Sequence, residues 1–245
     1  YAVDDLHFAG GVPQLFKQLE SLVHKECLNV NGQTLGEIIK HVNDAPNDVI
    51  RTVNNPICKD GGLSILKGNL APNGSVIRSS TIKDSMQHFR GTAKVYSSDS
   101  EAHKAIINEK VKPGDVVVVR YVGPVGAPGM VEIMDATEAI VNLGLDESVS
   151  LITDGRFSGF CHGPIIGHVS PEAANGGPIA LVEDGDIIEI DIPNRSLRLE
   201  VSDEELSKRR EKLVLPEPRV KKGFMRTYAM NCLPPELGAA MQKWN

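Results

Sequence analysis

The apolar positions of this chain change their spacing near residue 60. Before it, Val12, Leu15, Phe16, Leu19, Leu22 and Val23 recur at helical intervals. Pro13, just after Gly10-Gly11, suits a first helical turn, so residues 4–24 are predicted as one helix. Leu35, Ile38, Ile39 and Val42 form one face of a second, short helix, with Thr34 and Glu37 at capping-box spacing. Residues 43–75 are broken by Asn-Pro and Gly-Gly steps and read as loop-rich. Beyond them, short β-branched runs alternate with turn signals. Val76-Ile77 is a weak strand. Val116–Val122 is a strong one after the turn Lys112-Pro113-Gly114-Asp115. Ser150–Thr153 is an apolar run ending in a polar glycine loop, and a second apolar run reaches His168. Ile179–Val182, Ile187–Ile192 and Leu197–Val201 predict a meander, with turns at Glu183–Asp186 and Pro193–Ser196. Ile188, Ile190 and Ile192, like Leu197, Leu199 and Val201, occupy every second position, as in half-buried strands.

Helices punctuate this β region. Ser98 with Glu101 starts one that runs through Ile106, a second covers 135–143 and stops at Gly144, and Ser202 with Glu205 starts a third over 203–212. Together these elements predict an α+β chain. A helical lead-in segment (1–59) precedes a β-barrel or closed sheet with helices packed outside (60–215), and an irregular or helical tail (216–245) follows the breaks at Pro216 and Pro218. The tail's lysines and arginines are interspersed with glutamates, which describes a solvated face.

Composition narrows the function. At 245 residues the chain is long enough for a sizeable core. A net charge of −6 and 4% aromatic residues give no footing for nucleic acid. No apolar run approaches the roughly 20 residues of a membrane span, and no secretory or targeting presequence opens the chain. A cytoplasmic location is expected, or an organellar one in a eukaryote. Tyr1 is not a natural start, so the chain reads as a piece of something longer. Cys27, Cys58, Cys161 and Cys232 are scattered without a Cys-x-x-Cys pair, as free thiols rather than a zinc site.

Two loops carry candidate chemistry. Gly123-Pro-Val-Gly-Ala-Pro-Gly-Met-Val-Glu132 follows the strongest strand. Its glycines and prolines build a stiff loop that is not a Walker A loop. Glu132 is either an oxygen ligand for a hard divalent cation or a helix N-terminal acid favoured by the macrodipole. The second loop is Asp154-Gly-Arg-Phe-Ser-Gly159. Its Ser158 is either a reactive hydroxyl, which needs a base, a cation or a metal to activate it, or a turn hydroxyl satisfying backbone. Arg156 at position −2 breaks the Gly-x-Ser-x-Gly elbow of α/β-hydrolases. His162 and His168 flank Ile165-Ile166 and read as packed histidines. Glu172, after Pro171, reads as a helix cap.

Taken together, these residues resemble the dihydroxy-acid dehydratase and 6-phosphogluconate dehydratase family. The resemblance is carried by Ser150-Leu-Ile-Thr-Asp-Gly-Arg-Phe-Ser-Gly159, Gly167-His-Val-Ser-Pro-Glu-Ala173 and Gly176-Gly-Pro-Ile-Ala-Leu-Val-Glu-Asp-Gly-Asp186. Asn55-Pro56, Gly61–Pro72 and the run Asp4–Gly11 extend it over nearly the whole chain, as the C-terminal half of the family's sequence. It implies a swivelling β/β/α barrel like the C-terminal domain of aconitase-like isomerases. It also implies loss of water from a 2,3-dihydroxy carboxylic acid to give a 2-keto acid, using an iron–sulfur cluster (2Fe-2S or 4Fe-4S), magnesium and a serine base. Carried over by motif, Ser158 is the base and Glu132 a magnesium ligand; Arg156 and Gly159, beside Ser158, are expected to contact the substrate. The cluster ligands would lie in an N-terminal half, so no cysteine here is assigned to it. The chain alone is expected to lack dehydratase activity. The resemblance further implies a small dihydroxy acid, the N-terminal domain and a second copy in a homodimer as partners, with branched-chain amino-acid synthesis as the setting. A sugar-acid substrate (phosphogluconate, gluconate, arabinonate or xylonate) and a non-catalytic binding module are the alternatives. Two departures stand out: Val131 replaces the family's usual proline, and Phe160-Cys161 follow Ser158-Gly159 where small or hydroxyl residues are common.

Overall fold

The computed structural model describes residues 1–58, 61–159 and 161–242. They divide into two compact units, Tyr1–Gly61 and Gly62–Asn245. The first holds α1 (Val3–Phe8), α2 (Gly11–Gln18) and α3 (Leu35–Lys40). The single helix expected over 4–24 is therefore two. Gly10 and Gly11 take φ of +108° and +65°, a left-handed conformation that ends α1, and α2 stops at Gln18. The capping box of α3 forms as the spacing predicts: Glu37 N donates to Thr34 Oγ1 (3.2 Å) and Thr34 N to Glu37 Oε2 (2.7 Å).

The second unit is built on ten strands: β1 (Ser64–Leu66), β2 (Gly74–Ile77), β3 (His88–Tyr96), β4 (Asp115–Val119), β5 (Glu132–Ile133), β6 (Ser150–Thr153), β7 (Arg156–Phe157), β8 (Ile165–Ser170), β9 (Ile187–Asp191) and β10 (Ser196–Leu199). Its helices are α4 (Asp99–Ile107), α5 (Asp135–Asn142), α6 (Asp203–Lys212) and α7 (Phe224–Asn231). Eight strands form one sheet in the order β1-β2-β8-β6-β4-β3-β9-β10. The sheet curls until its two edges meet. Lys67 N donates to Arg195 O and Leu197 N to Lys67 O, both at 2.9 Å. One step on, the side-chain amide of Asn69 extends the seam, with Nδ2 donating to Leu199 O and Oδ1 accepting from Leu199 N, both at 2.8 Å. Backbone groups that would line an open edge are thereby paired. At Gly68 a Cβ would lie 1.9 Å from Leu197 O, so only glycine lets the edges approach this closely. The expected barrel with flanking helices is what forms.

Two cores follow from the alternation of side chains. Val116 and Val118 of β4 join Leu66, Ile77, Ile152, Ile166, Ile188, Ile190 and Leu197 in a cluster drawn from all round the barrel. Val117 and Val119 pack outward with Ala102 and Ile106 of α4 and Ala136 and Ile140 of α5. The unbroken valine run of β4 is buried on both faces, as parallel strands under helices are.

Two elements differ from the pattern-based reading. Ile179–Val182 is not a strand; Pro178–Leu181 is a 3₁₀ turn whose apolar residues plug the barrel core. Pro178 has no N–H for a ladder, and Gly177 is pressed against Pro171 O, where a Cβ would come within 1.8 Å. A short, fully buried apolar run carries no period to tell a turn from a strand. Conversely, β3 is the longest strand yet escapes pattern recognition, because its inward positions include Gly91 and Ala93 rather than large β-branched residues.

Candidate active site

Both candidate loops leave the same edge of the barrel. β4 and β6 are parallel neighbours, with Val116 opposite Ser150 and Val119 opposite Thr153, so the chain exits both strands side by side. Loops at strand ends, carried on a rigid scaffold, are where reactive groups are commonly displayed.

Asp154, the first residue after β6, is fully buried. Its carboxylate accepts from the backbone N–H groups of Tyr121 (3.1 Å), Val122 (3.0 Å) and Ala173 (2.9 Å). Burial raises its pKa, and the three backbone donors act against that rise. Glu172, also buried, accepts from Val125 N (2.9 and 3.2 Å to its two oxygens) and Gly126 N (3.0 Å). Burial pushes it up to about 7, the two N–H donors oppose that, and Asp154 adds to it. Neither carboxylate has a cation partner among the described residues. Both fix the first turn of the 120–131 loop. Gly123 packs so tightly that a Cβ would stand 2.5 Å from Glu172 Oε2, and one on Gly126 would stand 2.7 Å from Tyr121 O.

From that turn the chain returns to the second loop. Ala127 N donates to Gly123 O, Met130 N to Ala127 O, and Val131 N to Val122 O at 3.2 Å. Val131 thus uses an N–H that a proline there would lack. Its carbonyl accepts from Arg156 N, and Met130 O from Arg156 Nε, both at 2.8 Å. The result is a small parallel ladder, β5 against β7, in which Glu132 is opposite Arg156 and Ile133 opposite Phe157. Glu132 is half-buried, and its carboxylate has no hydrogen-bond or ion-pair partner among the described residues. Arg156 is exposed, and among the described residues only its Nε is occupied on the side chain, by the bond to Met130 O.

Ser158 is half-buried, one residue past β7. It lines a cavity of about 290 Å³ with Cys161, His162 and the α5-side residues Met134, Thr137, Glu138, Val141 and Asn142. Arg78, beyond the end of β2, holds the following segment: its guanidinium donates to Gly159 O and to Cys161 O, the latter at 2.6 Å. Cys161 is largely buried against this cavity. Phe160, the other residue of that departure, lies outside the described residues. His168 is half-buried beside Arg156, and both burial and that cation lower its pKa. It sits at φ +55°, with its N–H donating to Gly155 O at 2.8 Å.

The four residues picked out by motif, Glu132, Arg156, Ser158 and Gly159, therefore fall on one stretch of barrel edge. Three residues that organise this edge were not picked out. Arg78 carries no local signal. The role of Asp154 as a three-way backbone acceptor and that of Glu172 depend on partners 19–47 residues away. Among the described residues, no group of three or more His, Cys, Asp or Glu side chains converges as a metal site. A partnerless, half-buried carboxylate is still a fitting single oxygen ligand for magnesium, which keeps several waters and takes few protein ligands. No helix among the described residues is long and apolar enough to cross a membrane.

A nearly closed eight-stranded barrel with outer helices, preceded by a helical segment, places the chain in the swivelling β/β/α class of aconitase-like C-terminal domains. The chain belongs to the dihydroxy-acid/6-phosphogluconate dehydratase family: the pattern of that family's C-terminal region matches residues 48–239. It is 49% identical over 245 residues to a dihydroxy-acid dehydratase of Caldanaerobacter subterraneus, covering 99% of this chain and 44% of that protein. It is 52% identical over 229 residues to one from Agathobacter rectalis, covering 93% of this chain and 41% of that protein. A third, from Carboxydothermus hydrogenoformans, is 46% identical over 243 residues, covering 98% of this chain and 44% of that protein. The chain thus spans less than half the length of these curated relatives.

Proposed function

We propose that the full-length protein is a dehydratase that converts a 2,3-dihydroxy carboxylic acid to a 2-keto acid and water, with Ser158 as the base and Glu132 as a magnesium ligand. The observation that carries this is the β5–β7 ladder, whose Glu132–Arg156 register sets the two motif loops side by side. Magnesium and an iron–sulfur cluster held by an N-terminal half would supply Lewis acidity toward the substrate's oxygens. Ser158 Oγ, as the alkoxide, takes the proton from C2 as the C3–O bond breaks; that proton is passed on to the departing hydroxide, which leaves as water, and the resulting enol tautomerises to the 2-keto acid. An isolated serine hydroxyl does not sustain an alkoxide near neutral pH; a neighbouring cation lowers that cost. Arg156 keeps its Nη donors for the substrate carboxylate, and Gly159 its N–H. The cavity beside Ser158 gives room for a small acid.

The relatives are named dihydroxy-acid dehydratases, and the motif resemblance favours a branched-chain dihydroxy acid over a sugar acid. Assaying the full-length, cluster-loaded protein against 2,3-dihydroxyisovalerate and against gluconate and 6-phosphogluconate tests this. We expect the first to be turned over with the highest kcat/KM. Preference for a sugar acid would reassign the substrate, and turnover of neither would favour a binding module.

A further inference from the structure

We propose that Glu172 is a positioning residue for Glu132, its buried carboxylate clamping the turn from which the chain runs to β5. This rests on the reading of Glu132 as a magnesium ligand. Glu172 is 1% exposed. It spends its charge on two backbone N–H groups, of Val125 and Gly126, rather than on a cation. A carboxylate withdrawn from water without a counter-charge is costly to ionise, which pushes Glu172 up to about 7. The titratable groups around it offer no relief. Asp154 approaches from the end of β6, and Tyr228 and Cys232 approach from α7 and its end; Glu172 raises the pKa of both. What its carboxyl oxygens do is hold backbone. The turn it grips is tied by Ala127 N to Gly123 O, by Met130 N to Ala127 O and by Val131 N to Val122 O, and the next residue is Glu132. Asp154 anchors both ends of the clamp, gripping Tyr121 and Val122 before the turn and Ala173 beside Glu172. Gly123 is small because the carboxylate fills the space a Cβ would take. Charge-assisted bonds to backbone N–H groups are short and directional, which suits fixing a ligand loop before the metal arrives.

The test uses the full-length protein and three variants. Glu172→Gln keeps one acceptor oxygen and replaces the other with a group that cannot accept, Glu172→Asp keeps the charge but shortens its reach, and Glu132→Gln removes the proposed ligand. Mg²⁺ binding is measured by calorimetry without substrate, and amide exchange is followed over 123–131. We expect Glu172→Gln and Glu172→Asp each to weaken Mg²⁺ binding by about tenfold, the fold-change from losing one charge-assisted hydrogen bond. Val125 and Gly126 should exchange correspondingly faster, while exchange in the barrel strands stays unchanged. If Glu132→Gln weakens Mg²⁺ binding but both Glu172 variants bind it like the parent, the positioning role is overturned. If Glu132→Gln binds Mg²⁺ like the parent, the ligand reading fails, and unchanged exchange at Val125 and Gly126 would sink the clamp as well. Should Glu172→Gln not fold, Glu172→Asp decides.

Discussion

At the scale of single residues, the site is organised by carboxylates that the motifs do not single out. Asp154 satisfies three buried backbone donors, so Asp154→Ala leaves them without partners. Each such orphan costs about 1–3 kcal/mol. We expect a loss of at least about 3 kcal/mol in urea unfolding of the full-length protein; a loss under about 1 kcal/mol, the range of ordinary surface changes, would mean the carboxylate is not the anchor. Glu172 carries a pH dependence. Its pKa rises on folding from 4.5 to about 7, so its contribution to stability is full below pH 4.5 and is lost as the pH rises through about 7. The thermal midpoint of the parent should therefore fall relative to that of Glu172→Gln across this window, and a constant difference would contradict the assignment. The motif residues Glu132, Arg156, Ser158 and Gly159 were legible in the sequence because their signature is local. Asp154, Glu172 and Arg78 were legible only as residues. Their roles lie in contacts across the fold, and nothing in a single sequence pairs Glu172 with Val125 or Arg78 with Gly159.

At the scale of elements, the barrel depends on a seam rather than on a further strand. Lys67 and Asn69 stitch β1's end to β10 by backbone and side-chain amide bonds, with Gly68 between them leaving room for the approach. Asn69→Ala removes two of these bonds, and we expect it to cost about 1–3 kcal/mol. It should also speed amide exchange at Leu199, while exchange at β4 and β6 stays slow. Equal acceleration throughout the barrel would mean that the seam is not a separable unit. The helix caps, the buried β4 and the alternating β9 and β10 follow from spacing alone, since each is set by neighbours along the chain. The 3₁₀ turn at Pro178–Leu181 and the strand β3 do not. One is an apolar run that fills space without a period, and the other has Gly91 and Ala93 in the middle of its inward face, between Phe89 and Val95.

At the scale of the whole molecule, the barrel edge offers a serine, an arginine and a glutamate that has no partner among the described residues, on loops locked to each other by β5 and β7. This chain covers 44% or less of each of the three relatives compared. The proposed dehydratase rests on Ser158 as its base. That role is tested most directly by the turnover of 2,3-dihydroxyisovalerate in the full-length protein and its Ser158→Ala variant, compared at equal iron and acid-labile sulfide content and saturating Mg²⁺. We expect kcat to fall by about 10²–10⁴-fold, the range that a positioned acid or base contributes, with cluster content unchanged. A Ser158→Ala variant that turns over at the parent's rate would contradict it.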